Sequence, residues 1–249
     1  MQVVDVPTAQ SLLWIRDAWR LFKVAPFAWM GLTAGWIALT LGLLLIPVLG
    51  QLAANLLQPI FFAGFMIAAR AQESGEVPRM VHLFAAFRVN AVPLISVGTV
   101  MFLATLAIIV MMALLGLPEI PTTADGSLDM EGLRTAFSGK EWLIILGLAL
   151  ISLVKGALWF APPLLAFHKM SAAHAMRWSI YAFVSNFGAV LLYGVLVVVI
   201  YALAILPYGA GLFIAMPLMV ISNYTSYKAM FREDGQGSSA AAPAPGDRE

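Results

Sequence analysis

Lys155 is the one ionisable side chain set deep in a long apolar run, 13 residues after Trp142 and 12 before Phe167. At about 1.5 Å of rise per helical residue it would sit near mid-bilayer, too deep for its stem to carry the ammonium to either surface. Burying a lysine there costs about 2.5–3.5 kcal/mol, which selects for a partner or a wet cavity. Asp and Glu are absent from the apolar runs, so only neutral partners are offered: Ser152 one turn back, and Gln58 or Asn55 at comparable depth. The carbonyls of Leu158 and Trp159 lose their helical donors to Pro162 and Pro163. Helical side chains, however, point back toward the N-terminus, away from them. Two readings stay open for the candidate polar site Lys155, Gln58, Asn55 and Ser152. It holds an anion or a proton, or it is a desolvated lysine joining two helices.

Other chemistry has little to stand on. His82, His168 and His174 share no ligand spacing and sit among basic residues, which disfavours a bound cation. Acids occur only in loops and terminal segments, and no spacing ties one to a histidine and a nucleophile. The chain has no cysteine, hence no disulfide, thiolate ligand or thiol nucleophile. Its scattered basic residues make no phosphate-tracking groove for nucleic acid. No catalytic, cofactor-binding or metal residue is therefore nominated, and the expectation is a protein that is not an enzyme and needs no cofactor.

What positions Lys155 is a membrane architecture. Hydrophobic residues make up 61% of the 249 and charged ones 11%, against roughly 45–50% and 25% in soluble domains. The bilayer must be the solvent. The first apolar run, from Val24, is too long for a signal-peptide core and reads as an uncleaved anchor. A crossing helix needs about 20 apolar residues. Charge-free runs accommodate six, near 27–47, 51–69, 92–116, 142–167, 186–206 and 210–228. The fold class expected is all-α: a polytopic transmembrane bundle of six helices, since a lone strand cannot satisfy its backbone in lipid. Residues 1–25 form a cytoplasmic N-terminal segment with an interfacial helix, 26–230 the membrane domain, and 231–249 a tail whose Gly, Ser, Ala and Pro content predicts disorder.

With six spans, Arg16, Arg20, Lys23, Arg70, Arg79, Arg88, Lys169, Arg177, Lys228, Arg232 and Arg248 fall on one side. Only Arg134 and Lys140 fall on the other, in a loop that also carries five acids. This places both termini in the cytoplasm of a bacterial-type inner membrane. A short amphipathic stretch precedes each odd-numbered span, around Leu12–Phe22, Met80–Phe87 and Ala175–Phe183, and a proline marks each even one: Pro59, Pro162 with Pro163, and Pro217. The layout suggests three repeated helical hairpins, each with an interfacial amphipathic helix on the basic side. In the acidic loop, Leu128–Phe137 is expected to form a helix capped by Ser127. Gly31-x-x-x-Gly35 is a close-packing motif, inside the bundle or between copies.

The strings LLWIRDAWRLFKVAPFAWMGL, QPIFFAGF, HLFAAFR, FAPPLLAFH, SNFGAVLLYG and YTSYKAMF resemble a family of uncharacterised proteobacterial six-helix inner-membrane proteins. More distantly the layout is similar to the membrane domains fused to some glycerophosphodiester phosphodiesterases. The resemblance covers about residues 10–232. It implies the fold and the location but no functional residue, and the phosphodiesterase part with its acidic metal ligands has no counterpart here. Two functions compete. The first is a structural or interaction protein organising membrane or envelope, with the lipid bilayer and a membrane-protein partner or second copy as partners. The second is a small-molecule or ion transporter or channel using Lys155.

Overall fold

A computed structural model describes residues 2–119, 121–123 and 127–232. Among the described residues the regular structure is helical apart from two strands of two residues each. In order the elements are β1 (Gln2–Val3), α1 (Gln10–Val24), α2 (Pro26–Leu44), α3 (Leu49–Glu73), α4 (Met80–Val89), α5 (Ala91–Leu114), α6 (Met130–Phe137), α7 (Glu141–Ala157), α8 (Ala161–Phe167), α9 (Ala172–Ser185), α10 (Phe187–Ile205), α11 (Leu212–Met230) and β2 (Phe231–Arg232). Among the described residues, five stretches are long and apolar enough to cross a membrane: α2, α3, α5, α7 with α8 taken together, and α10. The last candidate, α11, is 19 residues long. Ser222, Asn223, Thr225, Ser226 and Lys228 in its second half keep it out of that set.

α3 and α11 form the spine. Half of the apolar stretch of α3 lies inside the bundle, against 17–22% for the other four spans. α3 packs on α4, α5, α8 and α11, and α11 on α1, α2 and α10. Glycine permits the tightest of these approaches. A Cβ on Gly64 would strike the Leu83 backbone of α4, and one on Gly98 of α5 would strike the Leu56 backbone of α3. The expected pair, Gly31 and Gly35, does not behave this way: nothing lies within 4 Å of a Cβ on Gly31, and Gly35 meets only the flexible end of Met80. A recurring spacing within one helix does not say which face another backbone approaches.

The three amphipathic stretches are α1, α4 and α9, and each is docked as well as amphipathic. α1 buries Ser11, Trp14, Ala18 and Phe22 and leaves Leu12 and Trp19 exposed. α9 buries Ala175, Ser179, Ala182 and Phe183 and exposes Ile180. Each inward stripe alternates small or polar residues with a large ring, Trp14 and Phe22 in α1 and Phe183 in α9, while other apolar groups face outward beside it. A single residue joins each short helix to the long one that follows: Ala25, Asn90 and Asn186.

The termini meet. β1 pairs antiparallel with β2, Gln2 opposite Arg232 and Val3 opposite Phe231, and the Val4 amide donates to the Met230 carbonyl at 2.8 Å. The segment assigned to a tail thus begins with an ordered strand; residues 233–249 lie outside the described residues. In the acidic loop the helix begins at Met130, two residues later than expected. Its cap is Asp129, whose carboxylate accepts from the Gly132 amide at 2.9 Å, rather than Ser127.

Candidate functional site

The four residues singled out around Lys155 are not brought together. Lys155 and Ser152 are exposed on α7, and Gln58 is exposed on α3. Asn55 donates to the Gln51 carbonyl of its own helix at 2.7 Å. Among the described residues no hydrogen bond or ion pair joins any two of them, and Lys155 lines neither of the two cavities described below. The span carrying Lys155 runs to Phe167 as expected, but its helix is broken within it. α7 stops at Ala157, α8 starts at Ala161, and the lysine lies in the last turn of α7.

That break is where polar groups gather. Pro162 and Pro163 at the start of α8 cannot donate to the preceding turn, so the backbone at 157–160 needs other partners. Ser179 of α9, fully buried, supplies two: its hydroxyl donates to the Ala157 carbonyl at 2.7 Å and accepts the Phe160 amide at 3.0 Å. Asn223 of α11 donates to the Trp159 carbonyl at 3.4 Å. Its own Oδ1 is buried without a hydrogen-bond partner. Beside them the hydroxyls of Tyr193 and Ser222 are hydrogen-bonded at 2.5 Å, and Ser222 donates to the Met219 carbonyl. His168 and the Tyr227 hydroxyl lie 2.8 Å apart.

The helix joints use polar side chains in the same way. Asn186 accepts the Val6 amide at 2.7 Å and donates to the Val4 carbonyl, pinning the chain between β1 and α1. Asn90 donates to the Leu165 carbonyl at 3.2 Å. Near Ala25, buried Gln72 donates to the Leu21 carbonyl at 2.9 Å and accepts from the Trp29 indole at 2.8 Å. In lipid an unpaired backbone group costs several kcal/mol, so each bond replaces one that water would otherwise make.

Two cavities open at the surface of the bundle. One, of about 190 Å³, is an apolar crevice between α2 and the start of α11, lined by Thr33, Ile37, Leu212 and Phe213 among others. The other, of about 430 Å³, lies between α1, α3 and α11 at the end where the termini meet. It carries charge: Asp17, Arg20, Glu73 and Lys228, with Leu21 and Ala229 as apolar wall. Glu73 holds Lys228 at 2.8 Å from both carboxylate oxygens and accepts the Tyr224 hydroxyl at 2.7 Å. Arg20 reaches Asp17 at 3.4 Å. This crevice is the candidate site that sequence reading missed. Its residues come from positions 17, 20, 73 and 228, too far apart in the sequence for any spacing to join them.

No protein-family model and no solved structure matches the chain. The chain is similar to a probable inner membrane protein of Burkholderia thailandensis, 27% identical over 93% of each chain. Its composition, its five membrane-capable helices and this similarity agree: the chain is an integral protein of the inner membrane.

Proposed function

We propose that the chain is a non-catalytic structural or interaction protein that organises the membrane or envelope. One observation carries this reading. Its buried polar groups bind backbone and one another across helix joints, rather than lining a path through the bundle. Transport needs polar groups facing a cavity, whereas Lys155, Ser152 and Gln58 face outward. An outward lysine on a membrane helix suits an interaction surface, its counter-charge coming from a partner protein or an anionic lipid. The alternative, a small-molecule or ion transporter, has one feature in its favour: the discontinuous span α7/α8 with an unpartnered Asn223 oxygen, since broken helices often line binding sites.

The proposed architecture is six spans in three parallel repeats, both termini cytoplasmic. The β1–β2 pairing holds the two ends of the described chain together, which favours an even number of crossings and supports counting α11 as the sixth. Burial recurs at equivalent positions of the units. Ala18, Leu83 and Ser179 each lie seven residues before the joints Ala25, Asn90 and Asn186, while Leu32, Val97 and Tyr193 lie seven after; all six are buried. Each short helix packs on the returning helix of the preceding unit: α4 on α3, α9 on α8, and α1 on α11, which closes the ring. The turn glycines agree as well, Gly50 against Leu43 and Gly211 against Ala204, seven residues apart in both. The basic residues gathered at the terminal end support its placement in the cytoplasm. The distant likeness to phosphodiesterase membrane domains bears on this layout alone.

The test is reconstitution. Proteoliposomes holding the wild type and Lys155→Met are expected to match protein-free liposomes in permeability to ions and small anions. Cells lacking the chain are expected to lose envelope integrity and to regain it with either form. A flux that the wild type supports and Lys155→Met abolishes would select the transporter.

A further inference from the structure

We propose that the charged crevice between α1, α3 and α11 binds the zwitterionic headgroup of an aminophospholipid such as phosphatidylethanolamine. The inference rests on the membrane-organising reading and names the lipid it would act through. The walls bring two carboxylates, Asp17 and Glu73, and two cations, Arg20 and Lys228, to one space of about 430 Å³. The four charges sum to zero, so an anionic headgroup meets as much repulsion as attraction. A headgroup with a phosphate and an ammonium a few bonds apart meets an opposite charge at each end.

The groups also have hydrogen-bonding capacity to give. Lys228 has three donors and directs one side toward Glu73. Arg20 has five, and among the described residues its polar contact is a long one to Asp17. A carboxylate accepts about four bonds; Glu73 receives those of Tyr224 and Lys228 and stays a third exposed. The phosphate therefore belongs with Arg20 and Lys228, and the ammonium with Asp17 and the free face of Glu73. Depth favours a lipid over a soluble zwitterion. The crevice takes one wall from α1, which also leaves Leu12, Trp19 and Val24 exposed beside Arg16 and Arg20. Aromatic and apolar groups next to cations mark the headgroup layer.

The ligands to compare are phosphatidylethanolamine, phosphatidylcholine, whose trimethylated nitrogen has no N–H to donate, and phosphatidylglycerol, which has no cation. Full-length protein is reconstituted in nanodiscs with the three in equal amounts, and retained lipid is counted by native mass spectrometry. Phosphatidylethanolamine is expected to be favoured about tenfold over each of the others. Arg20→Gln and Asp17→Asn should each erase that preference while leaving thermal stability unchanged, since both side chains are about half exposed or more. Equal retention of the three lipids, or an undiminished preference in both variants, would overturn the proposal. Free phosphoethanolamine at millimolar concentration should not displace the lipid; if it does, the ligand is a soluble zwitterion and the lipid assignment falls. No preference in the wild type, with flux still absent, would sink this site but leave the proposed function standing. Flux lost with Lys155→Met alongside an intact preference would do the reverse.

Discussion

The end of the bundle where the termini meet and the end carrying the acidic loop are built on different principles. At the terminal end Gln72, Asn90, Ser179, Asn186 and Thr225 tie helices to one another through side-chain bonds to backbone. A strand pair closes the chain there, and Glu73 bridges α3 and α11 through Tyr224 and Lys228. Among the described residues the other end shows one such tie, from the Lys140 ammonium to the Gly116 carbonyl at 3.0 Å. Elsewhere it presents exposed apolar groups, among them Leu45, Leu49, Leu114 and Leu206. Its helix turns place Val48 and Tyr208 in the left-handed region, at φ of 63° and 53°. Lipid tails are as apolar as leucine, so apolar contact alone does not hold membrane helices together; close approach and hydrogen bonds do. The terminal end therefore carries the specificity of the fold, and the loop end is free to vary.

Substitutions can break that contrast. Gly64→Leu should have the largest effect, forcing α3 and α4 apart at the Leu83 backbone and costing about 3 kcal/mol. A fall in unfolding temperature in micelles, larger than for any loop-end change, is the readout. Asn186→Leu should remove the anchorage of Val4 and Val6 and cost about 2 kcal/mol. Proteolysis of residues 2–8 should rise with it, and an unchanged cleavage rate would sink the pinning role. Ser179→Ala leaves the break in the fourth span without its cap, at about 1 kcal/mol. Hydrogen exchange should quicken at the Phe160 amide while the rest of α8 stays protected. At the loop end Leu114→Ala, at a residue 83% exposed, should stay within about 0.5 kcal/mol. Tyr208→Gly should slightly raise thermal stability by relieving its backbone. A loop-end change as damaging as Gly64→Leu would erase the distinction between the ends.

The long helices could be read from the sequence because charge-free runs are a property of composition, and their ends fell where basic residues, prolines or glycines stand. Pro162 and Pro163 announced the break between α7 and α8, but not its partner, because Ser179 is an ordinary serine until α9 folds against α7. The packing glycines were illegible for a related reason: Gly64 and Gly98 stand in different helices, and only the docked pairs show why each must be small. β1 and β2, two residues each, have no periodicity to detect. The candidate crevice was illegible because Asp17, Glu73 and Lys228 meet only after α11 returns beside α1. Lys155 drew attention through its cost in lipid, which is a property of the residue alone; where its side chain points is a property of the packing.

The strand pair has a consequence for the order of assembly. Gln2 and Val3 are synthesised before any membrane helix, and Phe231 and Arg232 only after the last. Each apolar helix can enter the bilayer as it emerges, through contacts local in sequence. The pairing of α1 with α11, and of the strands beyond them, spans some 200 residues and must wait for the end of translation. Until then the polar face of α11, with Ser222, Asn223 and Ser226, has no settled neighbours. A ribosome stalled just before α11 would hold a chain whose N-terminal segment is still open to protease, and release of the finished chain would close it in one late step.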